Sequence, residues 1–294
     1  MKKNVFLWFV LSVVFLVACG GNEEPADVAV IPLEPEPLSE APSAVELDPA
    51  SEVTQSDEPF VISAVPDQPS AVLDEKYELL VSYLSGALDV PVVYQPVSDH
   101  ATAVAEFTAG NLDMVWFDGL HGTKARLAVD RSQAILHRPS DASTEIVFVA
   151  LAESGIEAVA DAENLSSFAG RALAFGADSL QLVEAGTEEL ALLDAAVWDA
   201  EVASGAVDEE QVVAVFRTAE HHSKHWLLNP NVVTRYGAHF PQKITEAMVT
   251  LDPNDPSQAT LLELFRTDQF VYTDNDNYTD VEMLGRMIGF ISEQ

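Results

Sequence analysis

Two histidines stand at what read as helix starts, His100 directly after Ser98-Asp99 and His121 just after Asp118-Gly119. The first amides of a helix have no intrahelical acceptor and sit at the positive end of its dipole, so such ends hold anions. An imidazole there can add a donated hydrogen bond when suitably protonated. Ser98, His100, Gly119 and His121 are therefore candidate ligand contacts, although a histidine at a loop edge fits the same pattern. Asp118 works the other way. A carboxylate facing an anionic ligand costs energy unless it accepts a proton from that ligand. Lining a site, Asp118 favours a protonated oxyanion or an ammonium group; turned away, it is a helix cap that says nothing of specificity.

His221, His222 and His225 form a second group. On a helical turn, His222 and His225 at i and i+3 could share zinc. No fixed fourth ligand and no His-Glu pair accompany them, so no metal and no cofactor is assigned. Cleft donors or a solvated loop are the other readings of this stretch.

These residues need strands and helices behind them. Leu112, Met114, Val115, Trp116 and Phe117 make a nearly continuous apolar run ahead of Asp118, as a strand buried on both faces does. A helix is expected over 120–129. Upstream, 60–65 reads as a strand ending in the loop Pro66-Asp67-Gln68-Pro69, which cannot be helical before Pro69. Leu73, Tyr77, Leu80, Leu84 and Leu88 recur at helical spacing, predicting an amphipathic helix over 74–88. A strand over 90–97 and a helix over 101–109, capped at Ser98-Asp99, follow. Further on, strands are expected over 135–139, 146–151 and 212–216, and helices over 240–250, 257–267 and 278–291. Such βα alternation gives an open α/β sheet, which binds small ligands at the carboxyl ends of its strands.

The totals narrow the function. With 48% hydrophobic residues in 294, the chain has material for two lobes with their own cores. Its 48 acidic and 14 basic residues give a net charge of −34, a field that repels nucleic acid and anionic lipid headgroups. Any anion must then be held by local donors. There is no Ser-His-Asp order, no cysteine pair and no phosphate loop with a lysine, so no enzyme is expected.

The N-terminus reads as a targeting segment. Lys2 and Lys3 precede an apolar stretch over 5–17 that is short for a bilayer span. It ends in Leu16-Val17-Ala18-Cys19, which resembles the bacterial lipobox, in which the cysteine becomes the lipidated first residue. Cys19 is the single cysteine, so the fold uses no internal disulfide. Residues 20–58, rich in Pro, Glu, Ser and Ala, are expected to form a semi-extended tether.

Several ordered motifs are similar to the periplasmic phosphonate-binding (PhnD-like) proteins that serve ABC importers. Asn111 to Arg126 resembles that family's D-x-x-W-F-G-x-x…A-R segment, and Phe60 to Pro66 its first strand. Lys76 to Leu84 resembles its first helix, and Val97-Ser98-Asp99-His100 with Ala109 to Asp113 its next βαβ step. Asn164 to Gly176 is similar to the D-L-x-x-L-x-G-x-x-x-A-F-G that leads to a Ser/Thr-rich anion loop. The resemblance implies an α/β, two-lobe periplasmic-binding-protein-like fold with mostly parallel sheets. It adds Gln68, Ser179 and His222 to the ligand contacts.

This chain departs from the family after Gly176, where Ala177-Asp178-Ser179-Leu180 stands in place of consecutive Ser and Thr. Residues 180–189 look too short for a parallel crossover, so the second lobe is expected to be reduced. The implied division is a signal segment over 1–19, the tether over 20–58, lobe one over 59–150, a shortened lobe two over 151–225, and C-terminal helices over 226–294. The implied function is a lipid-anchored extracytoplasmic protein that hands a small oxyanion (phosphonate, phosphite or a selenate-like ion) to an ABC permease. A degenerate sensory or scaffolding lipoprotein and a metal-binding import protein are the alternatives.

Overall fold

The computed structural model describes residues 58–176 and 178–292. The targeting segment, Cys19 and the tether up to residue 57 lie outside the described residues. The first half builds β1 (Phe60–Ala64), α1 (Ser70–Leu88), β2 (Val92–Tyr94), α2 (His100–Thr108), β3 (Met114–Phe117), α3 (Gly119–Ala128), β4 (Gln133–His137) and β5 (Ile146–Leu151). Then come β6 (Leu173–Ala174), α4 (Ser179–Glu184), β7 (Leu190–Asp194), α5 (Ala195–Ser204), β8 (Val212–Arg217) and β9 (His225–Leu228). The chain closes with α6 (Asn231–Tyr236), α7 (Phe240–Val249), α8 (Pro256–Leu264), β10 (Val271–Tyr272) and α9 (Thr279–Met287).

Two sheets organise these elements. The first runs β10-β4-β9-β3-β1-β2 and the second β6-β7-β5-β8. The apolar run ahead of Asp118 is β3, buried at every residue because β1 and β9 flank it within the sheet and helices cover its faces. In α1 the predicted stripe of Leu73, Tyr77, Leu80, Leu84 and Leu88 is buried against the first sheet. At about 1.5–3 kcal/mol for each buried large apolar side chain, that stripe outweighs the helix's weak capping. The helix starts at Ser70, straight after Pro69, rather than at 74.

Four expectations need correction. The sheets are mixed, not mostly parallel: β1 pairs parallel with β2 and β3, and β6 with β7, while every other pairing is antiparallel. The cause is β9, which returns from the second lobe and inserts antiparallel between β3 and β4. Residues 225–228 thus form a central strand of the first sheet, where sequence suggested cleft donors or a loop. The chain also crosses earlier than residue 150, since β5 already pairs with β7 and β8 in the second sheet. Finally, the parallel crossover from β6 to β7 does close, through the short α4 over residues 175–189. That length meets the dozen-residue minimum once the loops on both sides of α4 are included.

Candidate functional site

Strand ends from both sheets meet at one cavity of about 210 Å³. From the first sheet come Val65 and Asp67 after β1, and Asp118, Gly119 and Leu120 at the β3–α3 junction; His100 joins them from the start of α2. From the second come Phe175 and Gly176 after β6, and Leu192, Leu193 and Asp194 at the end of β7. The two crossing segments form the back, where Thr144 and His221 exchange backbone hydrogen bonds in both directions. Thr144 Oγ1 lies 2.9 Å from Ser223 Oγ, and both residues line the cavity. This is the carboxyl-end crevice that the βα alternation predicted.

Asp118 resolves its two readings by doing both. Its Oδ1 accepts from the His121 backbone N–H at 3.0 Å, capping α3, and the carboxylate still lines the cavity. The His121 ring closes on it, with Nδ1 at 2.9 Å from Oδ2, and His100 Nε2 stands 3.7 Å from the same oxygen. Burial alone pushes this carboxyl up; the His121 ring, His100 and the cap outweigh it and hold it well below the usual carboxylate range. His100 moves the other way. Burial dominates over the Asp118 charge and pushes its imidazole below the ordinary value, so it is neutral near pH 7.

The helix ends facing the cleft are not bare. Asp194 caps α5 by accepting from the Ala196 N–H at 2.9 Å, and Asp99 caps α2 through the Thr102 N–H at 2.7 Å. At α2 the aspartate uses an amide that sequence reasoning offered to a ligand. What remains on the first-sheet side is the leading turn of α3, where Gly119 and Leu120 line the cavity. Lys224 is the single lysine or arginine among the described lining residues, and it pairs with Asp67.

His100, Asp118 and Gly119 are therefore brought to the cavity. His121 stands behind them, its ring edge-on to Phe175 at 4.6 Å and to Phe290 at 4.9 Å. Other expected contacts fall elsewhere. Ser98 is exposed and donates to Asp99 Oδ2, serving the helix start. Gln68 accepts from Lys76 at 2.5 Å, so its amide is turned to α1 rather than the cavity. Ser179 is fully buried at the start of α4, its hydroxyl without a protein partner, and it does not line the cavity.

His222 faces His137 and Tyr278, at ring separations of 5.4 and 5.8 Å, leaving His221 as the lining histidine. The zinc reading of His222 with His225 fails because no helix forms there. His225 opens β9 with its ring 4.0 Å from that of Tyr278. Sequence reasoning missed Asp67, Thr144, Asp194, Ser223 and Lys224, since their meeting depends on β9 crossing back to the first sheet. Only Asp194, a polar residue ending an apolar strand before a helix, carried a local signal.

A contact between the lobes narrows the cleft. A Cβ added at Gly176 would lie 2.8 Å from His100 Cε1 and 3.2 Å from the Pro66 carbonyl, so β6 approaches α2 at a residue with φ of +87° and no side chain. Alanine there is excluded twice, by backbone and by space.

Known proteins resemble this chain in sequence and in shape. A probable ABC transporter phosphite binding protein of Prochlorococcus marinus (strain MIT 9301), PhnD1, is 24% identical over 266 residues, which cover 78% of this chain and 90% of the relative. The solved structure of PhnD1 in complex with methylphosphonate superposes with a TM-score of 0.62 at 24% identity, over 80% of this chain and all of that one. A binding protein component of an ABC phosphonate transporter from Pseudomonas aeruginosa gives a TM-score of 0.54 at 11% identity, over 77% of this chain and 85% of that one. At those identities the superpositions establish the fold. The model of the periplasmic substrate-binding proteins of phosphonate ABC transporters matches residues 62–180 and 177–278. Two sheets meeting at a crevice and a family match across most of the chain agree: this protein belongs to the phosphonate-binding family of periplasmic ABC-transporter substrate-binding proteins.

Proposed function

We propose that the chain captures a small oxyanion with an organic substituent, of the phosphonate class, and delivers it to an ABC permease from a lipid anchor at Cys19. Family membership makes it an extracytoplasmic binding protein rather than an enzyme. The observation that carries the ligand class is the cavity itself. Its volume of about 210 Å³ is many times the ~10–15 Å³ that a cavity needs to hold one water. That is more room than a bare phosphite or selenate-like ion needs.

Its walls divide in two. Val65, Leu120, Ile146, Phe175, Leu192 and Val197 offer an apolar surface for a substituent, while His100, Thr144, Ser223 and Lys224 offer donors for oxygens. Asp118 favours an oxyanion that keeps a proton to donate. The same chemistry suits phosphite less well, because nothing then covers the apolar wall. Closure of the lobes about the Thr144–His221 crossing would exclude water.

Titration calorimetry of the full-length chain against methylphosphonate, longer alkylphosphonates, phosphite and selenate tests the reading. Alkylphosphonates should bind with the greatest affinity, and Ser223→Ala should weaken them. Absence of heat for every member of the panel would sink it and leave the sensory or scaffolding alternative. Anchoring has its own test, since labelling with a radioactive fatty acid should vanish in Cys19→Ala.

A further inference from the structure

The geometry points to a site for a divalent transition metal at the floor of the cleft, with His100 Nε2, His121 Nδ1 and Asp118 Oδ2 as ligands. One ligand atom from each of the three residues lies within 4.8 Å of the others. Two of the separations are 2.9 and 3.7 Å. A tetrahedral ion with bonds near 2.0–2.2 Å places its ligands on the order of 3.3 Å apart, so one observed pair must open slightly and another close. Both rings sit at helix starts, where a small χ change moves a ring nitrogen by that amount.

Imidazole nitrogen with one carboxylate oxygen is the donor set of zinc, cobalt and their neighbours, not of magnesium or calcium. The set has an outer shell as well, because Asp118 Oδ1 is pinned by the His121 N–H and leaves Oδ2 to the ion. His100 and Asp118 line the cavity, so the fourth coordination position opens into it.

A second observation asks for a cation here. Asp67, Asp118 and Asp194 line the cavity against Lys224 alone, and Lys224 is already paired with Asp67. A site for an oxyanion with that balance repels its ligand. A bound dication would be the largest local charge and would reverse the field. The metal site itself does not depend on the oxyanion reading, and metal binding is measured without any oxyanion.

The test uses the full-length chain without a histidine tag, titrated with cobalt(II) in excess magnesium so that loosely held ions on the acidic surface are displaced. One cobalt per chain with visible d–d absorption is the expected result. Asp118→Asn, which keeps a cap acceptor, and His100→Gln should each weaken binding at least tenfold, with folding checked by circular dichroism. His222→Ala should leave it unchanged. Cobalt retained in both cleft variants, or none held against magnesium, would overturn the site. Methylphosphonate added to the cobalt form should shift the visible bands; bands unmoved by a ligand that calorimetry shows to bind would overturn the open position.

Discussion

Acidification should destabilise this protein through His225. The residue is 1% exposed, and β9 holds it opposite Phe117 with its ring on Tyr278 at 4.0 Å. Its Nδ1 lies 3.1 Å from the Ser223 carbonyl, which can only accept, so Nδ1 carries the proton of the neutral ring. Nε2 faces Gly122, where even a Cβ would come within 2.6 Å. A second proton there would put a charge on a ring that is 1% exposed and packed on Gly122 and Tyr278. Burial pushes the imidazole down to about 4, ahead of a partial offset from the Ser223 carbonyl and Asp118.

The unfolded chain takes up this proton near pH 6.5 and the folded one near 4, so stability is fully present above 6.5 and falls as pH drops between the two. Between pH 8 and pH 5 the loss from this one group comes to about 2 kcal/mol. His100, His137 and His221 are also pushed down by burial and add to the loss, so a single pH series cannot isolate His225. His225→Asn can. Its amide nitrogen keeps a donor near Ser223 and nothing titrates, so the variant starts weaker from lost packing but falls less steeply. Urea unfolding followed by tryptophan fluorescence at each pH gives the two slopes. Equal slopes for parent and variant would refute the argument.

The same packing makes Gly122→Ala a contest. Helix propensity favours it by about 1 kcal/mol, but its Cβ would stand 2.5 Å from His225 Cε1, a ring held by Tyr278, and overpacking of about 1–3 kcal/mol should win; a raised melting temperature would contradict this. Asp118→Ala should lose about 1 kcal/mol as a cap while Asp118→Asn loses much less, and equal losses in urea melts would place the effect in the ion pair instead. Arg235 Nη1 pairs at 2.6 Å with Asp113, whose carboxyl burial already pushes up and whose Oδ2 accepts from Val61 N–H of β1 at 2.7 Å, so Arg235→Met should cost about 3 kcal/mol by denaturant midpoint, and a loss near zero would mean the pair does not hold α6 to β1 through Asp113. At a net charge of −34, the association rate of an anionic ligand should rise with salt in stopped-flow mixing, and a rate that falls with salt would show a positive entry path.

Lobe one was legible because its elements are local. The burial stripe of α1, the all-buried β3 and the caps at Asp99 and Asp118 each lie within a few residues of sequence, and each formed within a few residues of the expected place. What escaped was long-range. His225-Trp226-Leu227-Leu228 is too short to show a period, and its burial comes from insertion between β3 and β4, partners ninety or more residues upstream. Missing that strand hid the crossing of the chain, and with it Thr144, Ser223 and Lys224 as wall residues. It also turned His222 and His225 into a false helical pair. The α4 crossover was misjudged for a different reason: the helix was measured without the loops that lengthen it.

The acidic residues in the cleft have one physical origin that the fold makes explicit. A small ligand at a strand's carboxyl end competes with whatever side chain caps the following helix, because both want the same first-turn amides. Asp118 and Asp194 occupy those caps, so amide donors alone cannot supply an anion site of ordinary strength. At a Debye length of about 8 Å in physiological salt, most of the surface charge is screened from the cavity, and the ligand feels chiefly the groups lining it. Lys224 and Asp67 cancel, and His100 is neutral near pH 7. On the proposed reading, the neutral donors His100, Thr144 and Ser223 are joined either by the ligand's own proton, shared with Asp118, or by a cation brought to the His100–Asp118–His121 corner. The two routes separate by pH. A shared ligand proton makes affinity rise as pH falls through the ligand's own pKa, whereas a metal on nitrogen and carboxylate ligands binds more weakly as pH falls, because protons compete for its ligands.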